Sequence, residues 1–159
     1  MQTSMSAASS ENSLRVSTVS RILFGIIAVL ALGGIAVSTV SLLRHYAKSE
    51  TQFCELGQKF NCDIVNRSEY SSIVGIPVAG IGIAGYAALF VLGSFQRDRV
   101  TTPNRLLLAS LAGLVFALYL TYVEAYVLET WCILCLISLV FISLITAAAI
   151  AVKMTSTRA

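Results

Sequence analysis

Four cysteines carry the chemistry this sequence can offer, and they come in two pairs. Cys54 and Cys62 lie within CELGQKFNC, and Cys132 and Cys135 lie within WCILCL. Such thiols can exchange with a disulfide, ligate a metal or simply staple the chain. Exchange is attack of a thiolate on a neighbouring disulfide, so it needs sulfurs that can approach one another. Spacing alone admits three readings. The first is redox work at the CxxC pair. The second is a four-cysteine zinc site, which would set four thiolates beside an apolar helix. The third is a structural disulfide in the loop, with Cys132 and Cys135 as small buried hydrophobes. A CxxC disulfide inside a helix is awkward to hold by packing alone, which favours redox use.

The elements that must position these sulfurs are apolar. The chain has 159 residues, is 57% hydrophobic and only 12% charged, and has a mean hydropathy of +0.82. A soluble domain carries about 25% charge, so this is a membrane protein, long enough for one compact bundle. A net charge of +3 without a basic block argues against nucleic acid. Spans need about 20 apolar residues, and four segments qualify: Ile22–Leu43, Ile73–Phe95, Leu106–Val127 and Cys132–Val152. The first is too long for the apolar region of a signal peptide, and no small-residue cleavage site clearly follows it. The expected fold is all-α: an integral membrane four-helix bundle over residues 21–153 with an outer loop carrying two cysteines. A disordered cytoplasmic tail is expected over residues 1–20 and a second cytoplasmic tail over 154–159.

Charge sets the orientation. Arg15, Arg21, Arg97, Arg99, Arg105, Lys153 and Arg158 fall on one side, with Glu11 and Asp98. Arg44, Lys48, Lys59 and Arg67 fall on the other, with Glu50, Glu55, Asp63, Glu69, Glu124 and Glu129. The positive-inside rule then places both termini in the cytoplasm. All four cysteines face outward, into a compartment where disulfides persist. At the start of the fourth helix, unpaired N–H groups and the helix dipole favour a thiolate, whereas apolar surroundings disfavour it. Cys132 is expected to be the more accessible sulfur. Cys135, about one turn deeper, is expected to face the interior of the bundle, an arrangement suited to electron transfer between a protein thiol and a membrane quinone.

With the cysteines in this order, the chain resembles the vitamin K epoxide reductase (VKOR) family, in particular bacterial homologues without a fused thioredoxin-like domain. Four spans, the Cys-x7-Cys loop, the outer CxxC, NCDIVNRSEYSSIVGIP followed by GIGIAGY, and Ser138 three residues after the CxxC carry the likeness. The resemblance implies a helix bundle around a quinone of the ubiquinone or menaquinone type, without a metal. It implies a thioredoxin-fold (DsbA-like) partner, which hands electrons to the loop. By position, Cys54 would exchange with that partner, Cys62 would pair transiently with Cys132, and Cys135 would contact the quinone. Ser68 and Tyr86 match positions near the quinone. The animal enzymes' Asn in helix two and Tyr in helix four have no counterpart in Ile73–Phe95 or Cys132–Val152, which favours plain quinone reduction over epoxide reduction. The expected function is a quinone-dependent thiol oxidase of the bacterial cytoplasmic membrane, supporting disulfide formation. The alternatives are a thiol-driven quinone or vitamin K epoxide reductase and a non-enzymatic disulfide-stapled scaffold.

The remaining residues read more plainly. Gly75, Gly80, Gly82 and Gly85 suit close helix packing and also leave room for a quinone ring. Tyr119, Tyr122 and Tyr126 read as an interfacial stripe, and Trp131 as an anchor. Glu124 sits near the outer edge of a span, where a carboxylate is costly. A proton path and an edge position reachable by water are both open to it, the second being the simpler. His45 has no partner evident in sequence. No phosphate loop, serine triad or nucleotide fingerprint appears.

Overall fold

The computed structural model describes residues 2–46, 61–95 and 101–158. Helix α1 covers Gln2–Tyr46, and a short helix α2 covers Cys62–Arg67. A 3-10 turn at Glu69–Ser71 follows, then a hairpin of β1 (Ser72–Ile73) and β2 (Ile76–Pro77). Three helices complete the chain: α3 (Val78–Ser94), α4 (Thr102–Tyr126) and α5 (Ile133–Arg158). Three helical stretches are long and apolar enough to cross a membrane: Thr18–Tyr46, Thr102–Tyr126 and Ile133–Ser156.

Several boundaries differ from the sequence expectation. The tail read as disordered is helical from Gln2. No proline or glycine interrupts it before Gly25, and adding turns to an existing helix costs far less than nucleating one. By the same logic α5 runs on through the expected carboxyl tail to Arg158. The second apolar segment begins its helix at Val78 rather than Ile73, because residues 73–77 are spent on a reversal. Ser72 pairs with Pro77 and Ile73 with Ile76, and Val74 and Gly75 both have positive φ, at 53° and 80°. Two positive φ values in a row define the mirror-image turn that suits a two-residue hairpin. Gly75 therefore serves this turn and not helix packing. The 17 residues of α3 span about 25 Å at the usual rise per residue. α4 starts a turn earlier than expected, at Thr102, with Pro103 in its first turn, where a missing N–H costs little.

α1 packs against α3 and α5, and α4 packs against α5 and α3. Their shared core joins Phe24, Ile27 and Ala31 of α1 to Leu89 of α3, Leu106 of α4 and Ile142, Ile145 and Ala149 of α5. Close approach depends on small residues, as in membrane bundles generally. A Cβ at Gly34 would sit 2.4 Å from the Tyr86 ring, and one at Gly82 would sit 2.9 Å from Ser38 Oγ. The outer faces are apolar instead of polar: Val29, Leu108 and Val115 are 70%, 69% and 66% exposed. Such a surface is a liability in water and is at home in lipid. One end of the bundle gathers α2 and the α4–α5 turn, where the Asn61 N–H donates to the Trp131 carbonyl at 3.2 Å. At the opposite end the Lys153 ammonium donates to the Asn104 side-chain oxygen.

Candidate functional site

The site is built where α4 stops and α5 starts. The N–H groups of Val127 and Leu128 both donate to the Val123 carbonyl at 3.0 Å, and the Thr130 N–H donates to the Glu124 carbonyl at 3.2 Å. Glu129 takes the left-handed conformation, with φ at 48°, and turns the chain back. Cys132 then lies directly above Glu124, and its N–H donates to Glu124 Oε2 at 3.1 Å. The Cys132 carbonyl accepts the Leu136 N–H at 3.1 Å, so Cys132 caps α5 and Cys135 occupies its third position. This register is what CxxC spacing achieves: two sulfurs on the first turn, within reach of each other. Glu124 Oε, Cys132 Sγ and Cys135 Sγ all lie within 4.8 Å of one another. A thiophilic cation could bridge groups so close, but two sulfurs paired on one helical turn are equally placed to form a disulfide.

Cys62, the first residue of α2, packs against this corner in a small cluster with Val65, Cys132, Leu134 and Cys135. The Asn61–Trp131 backbone bond is the clamp, since it joins the residues just before Cys62 and Cys132. Cys62 packs against Cys132, and the Cys132 and Cys135 sulfurs lie within 4.8 Å of each other. The expected order of access is corrected. Cys132 is fully buried whereas Cys135 is only partly so, because α2 covers the start of α5. The expectation that Cys135 faces the bundle interior agrees with the structure. Its side chain lines a cavity of about 380 Å³ between the helices.

The cavity has two polar walls. One is the sulfur wall, with Cys135, Glu124 and Ser138. Glu124 is 2% exposed, so the expectation of a carboxylate open to water is corrected: the turn and α2 roof it over. Its Oε1 has no hydrogen-bond partner among the described residues. The facing wall carries Ser41, His45 and Asn66. Ser41 Oγ donates to Asn66 Oδ1 at 2.7 Å, and His45 Nδ1 donates to the Asn66 carbonyl at 2.5 Å. Those contacts fix the amide and leave Asn66 Nδ2, also buried, without a partner among the described residues. Neither His45 nor Asn66 is recognisable from sequence as a site residue, since 21 residues separate them. The only hint lay in Asn66 following the second loop cysteine by four positions.

The other expected contacts are placed as follows. Cys54 lies outside the described residues. Ser68 lines the cavity, but its Oγ donates to the Val65 carbonyl at 2.8 Å. Tyr86 is buried in the wall, and its hydroxyl donates to the Ser138 carbonyl at 2.8 Å, tying α3 to α5. Gly85 borders the cavity with nothing within 4 Å of a would-be Cβ, so it leaves room whereas Gly82 serves packing. Tyr119, Tyr122 and Tyr126 are exposed on the outside of α4.

An apolar helical bundle that encloses a cavity and turns one sulfur of a CxxC pair into it has the parts that a membrane thiol oxidoreductase needs. The model of the vitamin K epoxide reductase family matches residues 25–150. The chain belongs to that family, whose members couple thiols to quinones in membranes. A search of proteins of curated function found no match.

Proposed function

We propose that this protein is a quinone-dependent thiol oxidase that regenerates a disulfide-forming, thioredoxin-fold protein outside the cytoplasm. The observation that carries the reading is the two-sided sulfur corner. Cys135 faces an apolar cavity, and Cys132 is sealed on its other side against Cys62. Electrons would enter at Cys54, pass to Cys62, and reach Cys132 by thiolate attack on the intervening disulfide. The Cys132–Cys135 dithiol then loses two electrons and two protons as its S–S bond closes, and a membrane quinone of the ubiquinone or menaquinone type becomes the quinol.

The cavity suits that acceptor. Its size falls within the range of small-molecule pockets, its walls are mainly apolar, and it is lined by Asn66, whose Nδ2 is a buried donor without a partner among the described residues. The chain's own residues bind and orient: Gly85 leaves space, Tyr86 braces α3 against α5, and Ser68 shapes the turn beside Asn66. In this reading α3 is the fourth span. Both termini lie in the cytoplasm of a bacterium, the membrane is the cytoplasmic one, and the cysteines face the extracytoplasmic side.

The test is quinone consumption by purified protein in detergent, supplied with a reduced thioredoxin-fold protein. Wild type is expected to turn over. Cys54→Ala is expected to lose turnover with the protein donor while keeping turnover driven by a small dithiol. A Cys54→Ala variant equally active with both donors would refute the proposed order of transfer.

A further inference from the structure

Glu124 is a costly side chain in an apolar bundle, and a structural duty does not account for it. Its Oε2 accepts the Cys132 N–H, a task that the neutral amide of glutamine would perform as well. A carboxyl group buried this fully at the end of an apolar span is costly unless something offsets it. The second oxygen has no partner among the described residues, borders the cavity and belongs to a carboxyl within 4.8 Å of Cys135 Sγ. The titratable groups around it are Cys132 at the cap of α5, Cys135 on α5 and Cys62 on α2, with His45 of α1, Tyr70 of the 3-10 turn and Tyr86 of α3 elsewhere on the cavity wall. Among the described residues, no Lys or Arg lines the cavity.

Resting on the quinone-oxidase reading, we propose that Glu124 is the catalytic base of the dithiol, taking protons from the sulfurs and delivering them to the quinone oxygens. Glu124 Oε1 takes the Cys135 thiol proton and passes it to one oxygen of the acceptor. As the Cys132 sulfur closes on Cys135, its proton follows the same path to the second oxygen. Two S–H bonds break and one S–S bond forms. Two electrons leave the sulfurs, two O–H bonds form on the quinone, and Glu124 returns to its starting state. The hydrogen bond from Cys132 N–H holds the carboxylate in place throughout, so the base and the sulfur it serves share one turn of backbone.

The experiment measures kcat and KM for a short-chain benzoquinone across pH, with a small dithiol as donor, in wild type, Glu124→Gln and Glu124→Asp. Removing a general base typically costs 10²–10⁴-fold, roughly. Glu124→Gln is expected to lower kcat about a hundredfold with KM little changed. Wild-type kcat is expected to rise with pH as the carboxyl ionises. Glu124→Gln is expected to lack that rise and to regain rate only where the thiol ionises unaided, so the gap narrows in alkali. Glu124→Asp, which keeps the carboxylate, is expected to retain more rate than Glu124→Gln. Wild-type kcat and pH profile in Glu124→Gln would overturn the assignment. If Glu124→Gln is not recovered folded, a wild-type kcat flat with pH, or an aspartate variant with no activity, would overturn it instead. A wild type that consumes no quinone would sink the functional reading itself, which sets the two failures apart.

Discussion

The two polar walls of the cavity are built on opposite plans. The sulfur wall is local: Glu124 and Cys132 are eight residues apart, and a single reversal through Glu129 assembles them. The amide wall is remote: Ser41 and Asn66 are 25 residues apart, and α2 must be seated before they meet. A short turn fixes reactive atoms to within a hydrogen bond regardless of what the rest of the bundle does. A wall assembled across the fold can be retuned at either side, which suits recognition. On the proposed reading, chemistry is concentrated on one wall and binding on the other.

That division can be broken by experiment. The largest effect is expected at the sulfur wall, where Cys135→Ala or Cys132→Ala should abolish quinone reduction, a loss of at least about a thousandfold, because a nucleophile that acts as half of a pair has no substitute. Quinone assays of the two variants check this, and substantial residual turnover in either would contradict the relay. At the amide wall, Asn66→Ala should raise KM for quinone roughly three- to tenfold and leave kcat nearly unchanged, the worth of one neutral hydrogen bond. A fall in kcat with constant KM would place Asn66 on the chemical side. Next comes the hairpin that leads from α2 into α3. Val74 is 96% exposed in a conformation that a β-branched residue rarely adopts, so Val74→Asn should stabilise the protein by about 0.5–1 kcal/mol. Thermal unfolding in detergent would show it as a raised Tm. The smallest effect is expected at Ser68→Ala: a loss of about 0.5–1 kcal/mol from the Val65 bond with unchanged KM. A raised KM there would move Ser68 from the turn to the ligand.

The same local-versus-remote contrast governs what the sequence revealed. The membrane bundle and the CxxC register on α5 depend on runs of neighbouring residues, and they were legible. The start of α3 was not, because an apolar run does not show where its first five residues are diverted into a hairpin by Val74, Gly75 and Pro77. Burial of Cys132 and Glu124 was misjudged for a related reason. Both lie near a helix end and look exposed until Asn61, seventy positions away by number, docks on Trp131. His45 and Asn66 were invisible as a site, since neither has a chemical partner within its own element. Cys54, expected to exchange with the partner, lies outside the described residues.

The seating of α2 over Cys132 has one more consequence, best put in electrical language. A conductor that carries current between two terminals must be insulated along its length, or it discharges into whatever touches it. Cys132 is the midpoint of the proposed path and has no exposed surface. A small thiol or peroxide in the surrounding water therefore has no approach to it while α2 is seated. On the proposed reading, current enters through the element that carries Cys62 and leaves through the cavity at Cys135. The hydrogen bond between Asn61 and Trp131 is thus the cladding of the wire, and loosening it would cause a short circuit rather than a break.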